Sequence, residues 1–225
     1  MLSFDSLTQE FTMFFSKNKL AMVSKSEALP DNPTAIPVDA LHYVSASKMV
    51  PPFVAQYQVC YFAMGCFWGA ERLFWSIPGV VTTAVGYQGG YTANPSYQQV
   101  CTGQTGHTEA VLVVFDPEVI SYAELLILFW ENHQTTQGMR QGNDQGTQYR
   151  SALYCTSKLQ LSEAKDSAAH YQQALADGGS TETITTEIDL AAPFYYAEAD
   201  HQQYLAKNPQ GYCGIGGSGI CYPSN

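Results

Sequence analysis

Tyr57-Gln-Val-Cys-Tyr-Phe-Ala-Met64 is a short apolar run, and Gly65-Cys-Phe-Trp-Gly-Ala-Glu71 follows it without a spacer. The first stretch reads as a buried strand, bounded by the glycine. Beyond Gly65 the apolar residues fall at helical spacing, with Phe67, Ala70, Phe74 and Ile77 on one side, until Pro78-Gly79 stops the helix. A strand that feeds directly into a helix belongs to a sheet packed by helices.

Working outward, Val80–Tyr87 is strand-like, and Gly89-Gly90 begins a polar loop that runs to about Gly106. Glu109–Phe115 is apolar on both faces, which suits a central strand. Ser121-Tyr-Ala-Glu124 is a capping box that opens a helix through Trp130. A Gly/Asn/Gln/Asp loop over 134–147 leads to a strand at Tyr149–Tyr154. The helix expected over 158–176 carries Ala164, Ala168, Tyr171 and Leu175 on one stripe and ends at Gly178-Gly179. Thr183–Leu190 alternates, with Ile184, Thr186, Ile188 and Leu190 on one face. After Pro193 comes an aromatic, Gly-rich tail with little regular pattern. Upstream, residues 24–52 are rich in Ser, Pro, Ala and polar groups. Residues 1–55 therefore read as an arm, lying on the domain or partly disordered, with Phe11, Phe14 and Phe15 hinting at a short helix. Residues 56–225 read as one domain.

The chain has 225 residues, 10 Lys and Arg against 20 Asp and Glu, and a net charge of −10. That balance argues against nucleic acid and anionic membrane surfaces, which are bound by basic patches. No stretch is long and apolar enough to span a bilayer, and the first twenty residues do not read as a secretory signal. The cytoplasm is the expected compartment, where free thiols are ordinary. The six cysteines (Cys60, Cys66, Cys101, Cys155, Cys213 and Cys221) are too sparse for a disulfide scaffold. They suffice for redox or nucleophilic chemistry.

Cys66 stands out because it sits at a strand-to-helix junction, where unsatisfied N–H groups and the positive end of the helix dipole favour a thiolate. A cysteine after glycine is otherwise a small buried apolar residue, and Cys60, inside the strand, fits that description. Glu109 begins a strand whose next six residues are all apolar. Two readings stand for it: a desolvated carboxyl that keeps a proton for general-acid work, or a strand-end Glu reaching solvent or pairing with Arg140 or Arg150. Between Gly211 and Cys221 five glycines frame Cys213 and Cys221, so the segment can bend to bring one thiol to another site. A sulfenic acid condenses with such a thiol to a disulfide. No C-x-x-C occurs, and His107, His133 and His201 show no paired ligand pattern, so no metal is expected.

Several ordered motifs then coincide: Gly65-Cys-Phe-Trp-Gly-Ala-Glu71, Gly86-Tyr-Gln-Gly-Gly90, Asn94-Pro-Ser-Tyr97, Thr105-Gly-His-Thr-Glu-Ala110, Gln137-Gly-Met-Arg-Gln-Gly-Asn-Asp144, Gly146-Thr-Gln-Tyr-Arg-Ser151 and Gly211-Tyr-Cys-Gly-Ile-Gly216. With them the chain resembles the A-class peptide methionine sulfoxide reductases from about Ala63 to Cys221. The resemblance implies Cys66 as the nucleophile on the sulfoxide sulfur and Glu109 as the acid on its oxygen, with Tyr97, Tyr149 and Asp144 beside that oxygen. It implies Phe67 and Trp68 as walls for the S-methyl group, Cys213 as the resolving thiol, and Cys221 as the thiol that exchanges with it. It also implies methionine-S-sulfoxide, free or in protein, as substrate, thioredoxin as reductant, and no cofactor. Two positions depart from the family pattern. Gln134-Thr135 follows His133 where Asp-Pro is common, which puts the loop leading to Asp144 in question, and Tyr91 stands where His is frequent.

The expected fold is α+β, a ferredoxin-like two-layer sandwich with a mixed sheet and an irregular Gly-rich C-terminal tail, acting as a monomer. A thiol peroxidase using the same sulfenic acid chemistry, and a zinc-stabilised binding module, are the competing readings.

Overall fold

The computed structural model describes residues 19–223, so the helix expected around Phe11, Phe14 and Phe15 lies outside the described residues. Strand β1 (Gln58–Met64) occupies the opening apolar run, and helix α1 (Phe67–Trp75) starts beyond it with Cys66 as its N-cap. Gly65 turns the chain between them at φ +84°, and a Cβ there would lie 2.5 Å from the Gln141 side chain. Both the backbone conformation and the space call for glycine.

Strand β2 (Val80–Gln88), helix α2 (Tyr97–Cys101) and strand β3 (Thr108–Phe115) come next. Helix α3 (Tyr122–Glu131) opens on the Ser121/Glu124 capping box expected for it. Then follow the two-residue strands β4 (Arg140–Gln141) and β5 (Asp144–Gln145), strand β6 (Ser151–Cys155) and helix α4 (Lys158–Asp177). Strands β7 (Glu187–Leu190) and β8 (Tyr195–Tyr196) and helix α5 (Tyr204–Lys207) complete the chain.

Six strands form one sheet in the order β7-β6-β1-β3-β2-β8. β6 and β7 run parallel while the other neighbours are antiparallel, so the sheet is mixed. β3 is buried along its whole length between β1 and β2. Its two faces alternate with the strand period. Val111, Val113 and Phe115 meet the helices together with Cys60, Phe62 and Met64 of β1. Leu112 and Val114 face the other way, with Val59 and Tyr61. On the helical side Phe62 stacks on Phe74 of α1 at 4.6 Å and lies 5.7 Å from Phe129 of α3. On the far side Met49 and Phe53 of the upstream segment pack with Phe194 and Tyr196. That segment is tied to the body by Leu29 N–H to Gln104 O at 2.9 Å and Thr147 N–H to Lys19 O at 2.9 Å.

Four local readings are corrected. The loop after Gly89 contains α2, because Ser96 and Gln99 form a capping box that the polar composition concealed. Only the second half of Thr183–Leu190 is strand. Thr185 N–H bonds Thr135 O and Ile184 N–H bonds the Gln172 side chain, so residues 183–186 pair outside any ladder. Tyr149 belongs to a 3₁₀ turn (Thr147–Tyr149) that precedes β6. The stretch after Pro193 holds β8 and α5 rather than irregular chain alone.

Candidate active site

The strand register brings the chemistry together. β1 and β3 are antiparallel with Phe62 opposite Val111, so the end of β1 that leads to Cys66 lies beside the end of β3 that begins with Glu109. Phe67 N–H, one of the unpaired amides of the first turn of α1, donates to Glu109 Oε2 at 3.0 Å. Cys66, Phe67, Trp68, Tyr97, Glu109, Asp144, Tyr149 and Tyr212 line one small cavity of about 60 Å³. A larger groove of about 900 Å³ lies elsewhere, among Pro51, Phe53, Phe115 and Leu159, and contains none of these groups.

Glu109 is buried, and that burial pushes its carboxyl up to about 8, against the opposing pull of the Phe67 amide. The charge of Asp144 adds to the rise. The carboxyl therefore holds a proton at neutral pH. Neither arginine considered as its partner pairs with it among the described residues: Arg150 bonds Glu187 at 2.9 Å and Arg140 bonds Gly142 O. Cys66 is half-buried, and its thiol is pushed up, first by burial and then by the Glu109 charge. An amide hydrogen bond from Trp68 pulls the other way and loses. The resting side chain is thus a thiol, where the helix terminus alone suggested a thiolate. Burial also raises the phenols of Tyr97 and Tyr149, so both stay neutral hydroxyl donors.

The aromatic wall is clamped. Trp68 Nε1–H donates to His201 Nδ1 at 3.1 Å, and the indole stacks on Tyr204 with ring centroids 3.9 Å apart. His201 lies 4.5 Å from the Tyr97 ring. Glu198 accepts from Tyr97 N–H at 2.8 Å and from Tyr87 O–H at 3.0 Å, which fixes α2 against β2. Tyr212 O–H donates to Asp144 Oδ2 at 3.1 Å. Sequence reasoning missed Glu198, His201, Tyr204 and Tyr212. The aromatic texture after Pro193 was their one local signal.

The departure at Gln134 has a structural answer. Gln134 N–H donates to Gln141 Oε1 at 2.9 Å, and Gln141 Nε2 returns a bond to Gln134 O at 3.0 Å. This ring of two bonds pins the start of the loop to β4, next to the turn that carries Asp144. Tyr91 lies over Gly106 and is not among the residues that line the cavity.

Among the thiols, Cys60 and Cys155 are buried opposite each other on β1 and β6. Cys101 is half-buried on α2 and hydrogen-bonds the Tyr97 side chain. Cys213 is half-buried against α1, close enough for its charge to bear on Cys66, and Cys221 is exposed. Among the described residues no three His, Cys, Asp or Glu side chains converge as metal ligands, and no helix is long and apolar enough to cross a membrane.

A second buried carboxyl shares the pH behaviour of Glu109. Glu71 of α1 accepts from Gln203 N–H, Gln203 Nε2 and Thr83 O–H, yet burial raises it to about 7. Both carboxyls hold protons in the folded chain that the unfolded chain has released. Stability is therefore expected to fall as the pH rises from the ordinary value of 4.5 through about 7 and about 8. Denaturant melts should show stability falling between about pH 5 and about pH 9, with a shallower slope in Glu71→Gln. Equal slopes in the two proteins would refute the burial argument for Glu71.

A neutral thiol at a helix N-terminus, facing a protonated carboxyl and overlooked by a second thiol, defines a thiol-dependent oxidoreductase of the mixed α/β class. Residues 58–219 match the family model described as Peptide methionine sulfoxide reductase. The chain is 60% identical over 208 residues to Peptide methionine sulfoxide reductase MsrA of Klebsiella pneumoniae, covering 92% of this chain and 97% of that one. It is 58% identical over 213 residues to the protein of the same name from Dickeya dadantii, covering 94% and 99%. Among solved structures, methionine sulfoxide reductase A of Corynebacterium diphtheriae superposes with a TM-score of 0.80 at 44% identity, covering 86% of this chain and 93% of that one. Mxr1 from Saccharomyces cerevisiae in reduced form gives 0.65 at 31%, covering 83% and 100%. The chain belongs to the peptide methionine sulfoxide reductase family.

Proposed function

We propose that the chain reduces methionine-S-sulfoxide, free or in protein, to methionine, with thioredoxin as the reductant and repair of oxidised proteins as the outcome. Glu109 gives its proton to the sulfoxide oxygen, which makes the sulfur electrophilic. The Cys66 thiol passes its proton to the Glu109 carboxylate as its sulfur attacks, and the hydroxyl on the substrate sulfur passes to Cys66 as that S–O bond breaks and methionine leaves, so the thiol becomes a sulfenic acid. Tyr97, Tyr149 and Asp144 support the oxygen, and Phe67 and Trp68 receive the S-methyl group, a small apolar target for aromatic walls. Cys213 condenses with the sulfenic acid, releasing water, and Cys221 exchanges with Cys213 to leave a disulfide for thioredoxin. The observation that carries this reading is the buried Glu109 carboxyl, bonded to the first amide of the helix that Cys66 caps. The β1-α1-β2-β3-α3-β6 core is read as ferredoxin-like, residues 1–55 as an arm on the 56–225 catalytic domain, and the working form as a cytoplasmic monomer.

The test is an NADPH-coupled thioredoxin assay on the two separated sulfoxide epimers. Turnover of the S epimer alone is expected, because each epimer has its own enzyme class. Equal turnover of both, or of neither, would refute the reading. Cys221→Ser is expected to complete a first turnover and then slow thioredoxin recycling. Unchanged multiple-turnover kinetics in that variant would remove Cys221 from the relay.

A further inference from the structure

The face of α1 that carries Cys66 continues through Gly69 and Arg72, which follow at steps of three residues and so lie one above another. The Cys213 sulfur rests on this face. A Cβ on Gly69 would lie 3.0 Å from Cys213 Sγ and 3.2 Å from Ile215 Cβ, so the absent side chain makes the seat. Arg72 Nη2 donates to Cys213 Sγ at 3.0 Å. The segment that carries Cys213 is also held further along. Gln134 Nε2 bonds Gly217 O at 2.9 Å, Tyr171 O–H meets Ser218 Oγ at 2.9 Å, and Tyr222 N–H bonds Glu131 Oε1 at 2.7 Å. Cys213 is thus a docked sulfur with a guanidinium on it, about one helical turn from the cap position of Cys66.

The geometry points to Arg72 as a participant in the resolving step, holding Cys213 Sγ on the Gly69 seat and balancing its negative charge as it attacks the oxidised Cys66. The proposal rests on the reading that Cys66 becomes a sulfenic acid. In the step, Cys213 loses its proton and its sulfur attacks Cys66 sulfur. The S–S bond forms as the Cys66 S–O bond breaks, and the departing hydroxide takes up the proton as water. The sulfenic sulfur is reduced and the thiol sulfur oxidised, with no outside oxidant. Arg72 is exposed, so solvent screens its charge and the effect is modest, about fivefold on the rate.

The experiment uses the full reduced chain, one equivalent of methionine-S-sulfoxide and no reductant, with rapid quenching. Methionine, trapped sulfenic acid and the Cys66–Cys213 disulfide are measured in the same samples. In Arg72→Gln, methionine release, which precedes the Cys213 step, keeps its rate. Disulfide formation slows about fivefold and sulfenic acid accumulates, while Arg72→Lys, which keeps the charge, recovers most of the loss. A disulfide rate in Arg72→Gln equal to that of the unaltered chain overturns the proposal, and an Arg72→Lys as slow as Arg72→Gln overturns the role of charge. If the unaltered chain releases no methionine, the reading of Cys66 itself fails, and the proposal with it.

Discussion

Cys66→Ser is expected to abolish reduction of methionine-S-sulfoxide, with a fall of at least about a thousandfold in kcat/KM, as for other removals of a covalent nucleophile. A serine oxygen cannot take up the sulfoxide oxygen and pass through a disulfide. The other thiols offer no substitute. Cys60 and Cys155 are buried in the sheet, and Cys101 is absent from the cavity lining. In the proposed relay Cys213 acts only on an already oxidised Cys66. The fold should survive the change, because the Cys66 side chain makes no capping hydrogen bond to α1. Normal turnover in Cys66→Ser, measured with thioredoxin and NADPH, would refute the assignment of the nucleophile.

Glu109→Gln is expected to slow the first step by about a hundred- to ten-thousandfold, the range spanned by a positioned general acid. Glutamine keeps the shape and can still accept the Phe67 amide bond, so the loss reports the missing proton rather than a collapsed site. The pH dependence carries the sign. The acid form of Glu109 is present below its raised value of about 8 and is lost above it. The single-turnover rate of the unaltered chain should therefore decline as the pH rises through about 8. Glu109→Gln should show no such decline. A rate insensitive to the substitution would place the proton source elsewhere, with Tyr97 and Tyr149 the neutral donors that line the same cavity.

Much of this arrangement is legible in the chain because its strongest signals are local. The change from an apolar run to helical spacing at Gly65 locates the β1–α1 junction, and so places Cys66 at a helix cap. The uninterrupted apolar run after Glu109 marks the central strand, but it leaves two readings for Glu109 itself, and only the fold shows the carboxyl buried. The parts that escape are held over long range. Trp68 is positioned by His201 and Tyr204, more than a hundred residues away, through a hydrogen bond and a ring stack that leave no periodic trace. Tyr212 reaches the cavity through its bond to Asp144, which lies 68 residues away in the chain. The resting state of Cys66 is not legible locally, because the helix terminus is visible in the sequence whereas burial and the carboxyls around it emerge only on folding.

The relay is the central claim, and one equivalent of methionine-S-sulfoxide added to the reduced full chain without thioredoxin tests it most directly. Peptide mapping by mass spectrometry then reads which sulfurs have been joined. The account predicts one methionine released per chain, Cys213 linked to Cys66 or, after exchange, to Cys221, and Cys60, Cys101 and Cys155 still free. Release of methionine with Cys66 and Cys213 both still free, or with a disulfide confined to the other three cysteines, would contradict it.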